Sequence, residues 1–195
     1  MTVGVLALQG AFEEHIAFLR RLGVEVFEIR KRGDLRRAFD GLILPGGEST
    51  VISSLLRELK IMESLREAVK NGLPVLGTCA GLILLAKEIA ASEERYLGTM
   101  DINVVRNGYG RQLGSFAKKG LFLGKKIEMR FIRAPYIKEV GKNVRVLAVV
   151  DHKIVAAQEG NQLVTAFHPE LTGDDTVHRH FLEIIHEHTA MDFKK

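Results

Sequence analysis

Short apolar runs alternate with helical periodicities through the first half of the chain. Residues 3–8 form an apolar run, after which Phe12, Ile16, Leu19 and Leu22 recur at helical spacing. Gly23 stands where a helix C-terminal glycine belongs, and Val24, Val26 and Ile29 begin a second strand. Gly41-Leu42-Ile43-Leu44 predicts a third strand ending in Pro45-Gly46-Gly47. Ser49 or Thr50 can then cap a helix that carries Val51, Ile52, Leu55, Leu56 and Leu59. A further helix over Met62–Lys70 ends at Asn71-Gly72. Pro74-Val75-Leu76-Gly77 then predicts a strand that runs through Thr78-Cys79-Ala80-Gly81 into a Leu-rich helix.

This alternation predicts an α/β fold in three layers, a mostly parallel or mixed sheet with helices on both faces, and ligands at the strand C-termini. From about residue 101 the texture becomes β-rich, with strand-like runs at 102–105, 127–132, 144–150, 153–157 and 162–167. Residues 174–188 place Val177, Phe181, Ile184 and Ile185 on one face of a closing helix, and 192–195 read as a frayed tail. Neither an internal repeat nor a Pro/Ser-rich linker interrupts the chain, so 1–195 is expected to be one domain.

The 195 residues are 46% hydrophobic and 27% charged, ordinary globular usage that argues against disorder and against a collagen-like chain. The longest apolar stretches, such as 82–86, fall far short of the ~18 residues a membrane span needs. The N-terminus reads as a strand, with no basic segment before an apolar leader, so the cytoplasm is the expected location. The net charge of +4 is local: residues 20–37 hold seven basic and three acidic side chains. Phe27 is their one aromatic, and no nucleic-acid-reading motif accompanies them, so a solvated face or an acidic partner fits better than nucleic acid.

One cysteine, Cys79, excludes an internal disulfide. It lies in Gly77-Thr78-Cys79-Ala80-Gly81, a G-x-C-x-G turn between a buried strand and a helix. That arrangement resembles a nucleophile elbow, in which small neighbours let the nucleophile occupy a strained turn. Unpaired N–H groups at the helix start would favour its thiolate. From the pentapeptide alone, a nucleophile and an inert buried thiol both stay open.

A base for the thiol is available in His168-Pro169-Glu170, after the strand at 163–167. Proline favours extended geometry in its predecessor, which lets residues 168 and 170 project to the same side. The Glu170 carboxylate can then orient the imidazole. The pair Gly46-Gly47, at another strand end, suits an oxyanion hole or anion cradle, and the absence of G-K-[ST] argues against a nucleotide P-loop. The other histidines, His15, His152, His178, His180, His186 and His188, lack ligand spacing: the 178/180 and 186/188 pairs are i, i+2 and do not face each other on a helix. No metal is expected.

Together, Leu44-Pro45-Gly46-Gly47-Glu48-Ser49-Thr50, Gly77-Thr78-Cys79-Ala80-Gly81 and Phe167-His168-Pro169-Glu170 resemble the class I, triad-type glutamine amidotransferases. Leu6-Ala7-Leu8-Gln9-Gly10, Arg106-Asn107-Gly108-Tyr109-Gly110-Arg111-Gln112 and Phe131-Ile132-Arg133-Ala134-Pro135 are similar to the branch that serves pyridoxal 5'-phosphate synthases. The likeness extends over about 3–188, and the basic stretch 30–37 is particular to this chain.

The resemblance implies a flavodoxin-like sheet, with Cys79 as nucleophile, His168 as base and Glu170 as its partner. Glutamine would be held by Gly47, Glu48, Ser49, Arg106, Ile132 and Arg133, and the oxyanion by the N–H groups of Gly47 and Ala80. From the residues alone, either Arg106 or Arg133 can act as the fork for the substrate carboxylate, or either can be an ordinary surface ion pair. No cofactor is implied. The implied partner is a synthase subunit that builds pyridoxal 5'-phosphate from a pentose phosphate and a triose phosphate, in a large hetero-oligomer with a synthase core. Gln9, Gly10 and the first helix are the expected interface. The glutaminase subunit of imidazole glycerol phosphate synthase shares the elbow and the His-Pro-Glu end. Against it stand Gln9 and the motif at 106–112. A binding module or generic thiol protein on the same elbow is a third possibility, which His168-Pro169-Glu170 argues against.

Overall fold

The computed structural model describes residues 1–109 and 114–192. Its first half follows the predicted alternation: β1 (Thr2–Leu6), α1 (Phe12–Arg21), β2 (Glu25–Ile29), β3 (Gly41–Leu44), α2 (Ser49–Glu58), α3 (Met62–Lys70), β4 (Val75–Thr78) and α4 (Ala80–Leu85). β3 and β4 are buried at every position, which is why they read as continuous apolar runs and show no alternation. α1 ends as expected: Gly23 takes φ +76°, and the Val24 N–H closes back on the Leu19 carbonyl.

The second half contains β5 (Ala86–Ile89), β6 (Met100–Val105), β7 (Ser115–Phe122), β8 (Lys125–Ile132), β9 (Tyr136–Val140), β10 (Arg145–Val150), β11 (Lys153–Glu159), β12 (Gln162–Thr165) and α5 (Thr176–Asp192). Among the described residues the main sheet has ten strands, in the order β2-β1-β3-β4-β12-β11-β9-β6-β5 with β10 beside β11. The stretch β2-β1-β3-β4-β12 is parallel throughout, the flavodoxin-like strand order, whose switch point lies between β1 and β3. From β12 to β6 the pairing is antiparallel and the edge strand β5 runs parallel to β6, so the sheet is mixed. β7 and β8 form a separate hairpin.

Crossovers between parallel strands are right-handed as a rule, which puts connections on opposite faces of a sheet. α1 and α5 meet through Phe18 and His178, whose rings stack at 4.1 Å, and the other face is built by α2, α3 and α4. The sheet is thereby covered on both sides, as the alternation predicts.

Several local expectations give way. β5 follows α4 with no intervening loop, because Ala86 already has extended backbone (φ −60°, ψ 135°). The apolar run masks this break. β7 and β9 carry too many exposed polar residues to stand out as strands. α5 starts at Thr176 and runs to Asp192, past the expected end at 188, and the tail 193–195 lies outside the described residues. The basic stretch 30–37 contains a 3-10 turn, Arg32–Arg36, with no buried residue. Arg30 pairs with Glu28 at 2.5 Å and Arg37 pairs with Glu25, which makes it a solvated face.

Candidate active site

The C-terminal ends of β1, β3, β4 and β12 converge on a cavity of about 600 Å³, lined among others by Gln9, Gly10, Gly47, Glu48, Ser49, Cys79, Arg106, Ile132, Arg133 and His168. Parallel strands present exactly such ends to ligands at a switch point. Of the residues expected at the site, Ala80 and Glu170 lie just behind this wall, both buried.

The elbow forms as the sequence predicts. Cys79 has φ +48°, a left-handed conformation that costs a non-glycine residue about 1–3 kcal/mol, and it stands one position before α4. Its N–H is held by the Thr165 carbonyl at 2.8 Å. The flanking glycines are required by contact: a Cβ on Gly81 would lie 2.0 Å from the Leu44 carbonyl oxygen, and one on Gly77 would lie 2.7 Å from the backbone of Gly81. The strained turn is therefore clamped between β3 and β12, with Sγ 3.8 Å from the Ile132 carbonyl.

His168 follows β12, and its N–H is held by the Arg130 carbonyl of β8 at 2.8 Å, so the β7–β8 hairpin supports the imidazole backbone. Phe131 packs that hairpin onto Phe167 and stacks with Phe116. The imidazole Nδ1 lies 2.6 Å from Glu170 Oε1, both side chains buried. Its reach differs from the extended geometry expected: Pro169–Leu171 is a 3-10 turn, which brings residue 170 back under residue 168.

Burial works to lower the His168 pKa, but the hydrogen bond to Cys79, the hydrogen bond to Glu170 and the charges of both raise it to about 10. For Glu170, burial works to raise the pKa. The facing His15 and the hydrogen bond from His168 outweigh it, so the carboxyl stays ionised below its ordinary range.

Gly46 and Gly47 leave no room for side chains. A Cβ on Gly46 would lie 2.3 Å from His168 Cε1, and one on Gly47 would lie 2.4 Å from Gln9 Oε1. The Gly46 carbonyl accepts from the Ala11 N–H at 2.9 Å, which turns the N–H of the same trans peptide, that of Gly47, the opposite way. Gln9 Oε1 accepts from the Glu48 N–H at 2.8 Å, so the Gln9 side chain braces this loop, while Gly10 is exposed. The expected side-chain cap of α2 is not made: Ser49 is its first helical residue and Glu48 takes the cap position.

The two candidate arginines differ. Arg106 Nη2 is 2.5 Å from Glu94 and bonded to the Tyr96 hydroxyl, while its buried Nε has no partner among the described residues. The Arg133 side chain is 76% exposed and lies 3.7 Å from Glu48 Oε1. Glu94 and Tyr96, which fix Arg106, escaped the sequence reading because neither belongs to a glycine- or proline-marked motif. The rest of the motif at 110–112 lies outside the described residues. His15, set aside as a metal candidate, is fully buried behind Glu170. Its signal was a titratable residue on the apolar face of α1, between Phe12 and Leu19. Among the described residues no three His, Cys, Asp or Glu side chains group as metal ligands.

Residues 5–187 match the SNO glutamine amidotransferase family. A pyridoxal 5'-phosphate synthase subunit PdxT from Methanocorpusculum labreanum is 62% identical, over 95% of this chain and 98% of that protein. A protein of the same name from Haemophilus influenzae is 55% identical, over 94% and 98%. A crystal structure of a glutamine amidotransferase superposes with a TM-score of 0.89 at 45% identity, covering 94% of this chain and 98% of that one. The PurLQS structure from Thermotoga maritima shares the fold alone, with a TM-score of 0.66 at 17% identity over 100% and 99%.

Proposed function

The chain belongs to the SNO glutamine amidotransferase family, and on that premise we propose that it hydrolyses L-glutamine to L-glutamate and ammonia for pyridoxal 5'-phosphate synthesis. The observation that carries this reading is the strained Cys79 elbow with His168 beside it and Glu170 2.6 Å behind. Its relatives are named as subunits of pyridoxal 5'-phosphate synthase, so its partner is the synthase subunit of that enzyme, and we assign the pair to a large assembly with a synthase core. Gln9, Gly10 and α1 are the proposed contact, since exposed Gly10 lies at the cavity mouth. The cytoplasm is the proposed compartment, in keeping with a chain that can form no internal disulfide.

Each step is assigned to one of the residues named above. Cys79 sulfur attacks the side-chain amide carbon of glutamine, and the Gly47 and Ala80 N–H groups take the oxyanion, each contributing ~3 kcal/mol. His168, held as imidazolium, gives its proton to the departing ammonia. Once sulfur is acylated its charge is gone, and with it one cause of the raised His168 pKa. The imidazole can then take a proton from the water that opens the γ-glutamyl thioester. Glutamate leaves and the thiolate–imidazolium pair is restored. Glu170 keeps the ring oriented and balances its charge throughout.

Gly47, Glu48, Ser49, Ile132 and Arg133 border the substrate cavity. Arg106 is the proposed fork for the glutamine carboxylate: Glu94 and Tyr96 fix one end of its guanidinium, and Nε has no partner among the described residues. Alkylation with a glutamine-analogue electrophile tests the reading. Labelling confined to Cys79 and blocked by glutamine supports it, and labelling that glutamine does not block overturns it.

A further inference from the structure

Behind the proposed triad the protein buries three polar side chains that the chemistry above does not use: His15 on α1, Thr78 at the end of β4 and His178 on α5, each with 0% exposure. His15 joins them. Its Nε2 lies 3.1 Å from Thr78 Oγ1 and 3.4 Å from Glu170 Oε2, and its Nδ1 lies 3.1 Å from His178 Nε2. Glu170 Oε1 is taken by His168, while Oε2 is buried and has no well-formed hydrogen bond among the described residues. A buried carboxylate oxygen with nothing facing it is costly, and here an imidazole nitrogen of His15 faces it.

We propose that His15 is a positioning residue for Glu170: neutral and protonated on Nε2, it faces the outer carboxylate oxygen and keeps the inner one on His168. The proposal rests on the glutaminase reading. The tautomer follows from the partners. If His178 donates from Nε2 to His15 Nδ1, the His15 proton must sit on Nε2, directed at Thr78 and Glu170. His178 Nδ1 is then a bare nitrogen, and it is the atom without a partner among the described residues. Stranding an acceptor there is less costly than stranding an N–H.

Every charged group around the pair bears on this state. His15 is pulled down foremost by burial and also by His168, against Glu170 and Glu14, which pull it up. His178 is pulled down by burial, by His15 and by Arg21, which lies over the other ring of the Phe18 stack. Neutral imidazoles are the outcome, so His15 aims a dipole at Glu170 and leaves its charge to His168.

Two amide variants separate the two sides of the ring. His15→Asn places an amide where Nδ1 stood and leaves Glu170 Oε2 unfaced. His15→Gln places one where Nε2 stood and keeps a donor toward it. The full chain with its synthase subunit is assayed for kcat and KM toward glutamine, and Cys79 alkylation by iodoacetamide is followed against pH. H15N is expected to lose about 10-fold in kcat with KM unchanged, the scale on which removing an orienting group acts. Its alkylation midpoint should move to higher pH, because a less firmly held carboxylate supports the imidazolium less. H15Q should recover most of both effects. Equal losses in H15N and H15Q, or a wild-type kcat and alkylation profile in H15N, overturn the proposal. If the wild-type pair releases no glutamate, the glutaminase reading fails, and the alkylation profiles still decide the role of His15.

Discussion

His168 Nδ1 and Glu170 Oε1 lie 2.6 Å apart across a single proline, in a 3-10 turn that returns the carboxylate beneath the ring. The pair is local in sequence and buried, so it supplies orientation and charge without long-range strain. Glu170→Gln keeps the shape and removes the charge. It should lower kcat for glutamine hydrolysis roughly 10,000-fold with little change in KM, in line with the loss of a triad carboxylate. Steady-state kinetics of the purified variant check this, and a rise in KM alone would contradict it.

The raised pKa of His168 makes stability depend on pH. The folded value of about 10 exceeds the ordinary 6.5, so the imidazolium stabilises the fold fully below about 6.5, and that contribution is lost as pH rises through about 10. The difference in unfolding free energy between wild type and His168→Gln should therefore shrink across that window, by at most ~1.4 kcal/mol per pH unit. Cys79→Ala removes one support of the imidazolium and should bring the loss to lower pH. Urea unfolding at pH 6, 8 and 10 reads both effects, and a difference that stays constant with pH would refute this linkage.

Gly46 tests how closely the loop approaches the base. Its added Cβ would lie 2.3 Å from His168 Cε1, so Gly46→Ala must push the imidazole or the peptide aside. A displacement of about an ångström at reacting groups costs on the order of 100-fold in rate. The expected result is that loss with circular dichroism unchanged. Full activity would show that loop and ring are not in contact.

The arginines should separate by KM. Arg106→Lys keeps the charge and loses the fork, which should raise KM for glutamine about 10-fold or more with kcat nearly intact. Arg133→Ala, which alters a largely exposed side chain, should change KM less than about 3-fold. The reverse order in paired Michaelis–Menten measurements would move the carboxylate site to Arg133.

The sequence made the parallel half of the fold legible because β1, β3 and β4 are buried strands punctuated by glycines at turns that need them. Cys79 and the His168-Pro169-Glu170 unit stood out for the same reason: the elbow and the proline turn are written in adjacent residues. The antiparallel extension was less visible. β5 is hidden inside the apolar run that continues from α4, and β7 exposes Lys118 and Lys119. Long-range partners were the least visible. Nothing near Arg106 announces that Glu94 and Tyr96 will fix it. Likewise, nothing near His15 announces Glu170, which lies 155 positions away along the chain and meets it only because β1 and β12 flank β3 and β4 in the sheet.

The most direct test is glutamate release from glutamine by wild type and Cys79→Ala, each with and without the synthase subunit of pyridoxal 5'-phosphate synthase. Release that requires Cys79 and rises when the synthase subunit is added is the predicted result. Release that persists in Cys79→Ala, or a wild-type protein that is silent with that subunit, would contradict the account.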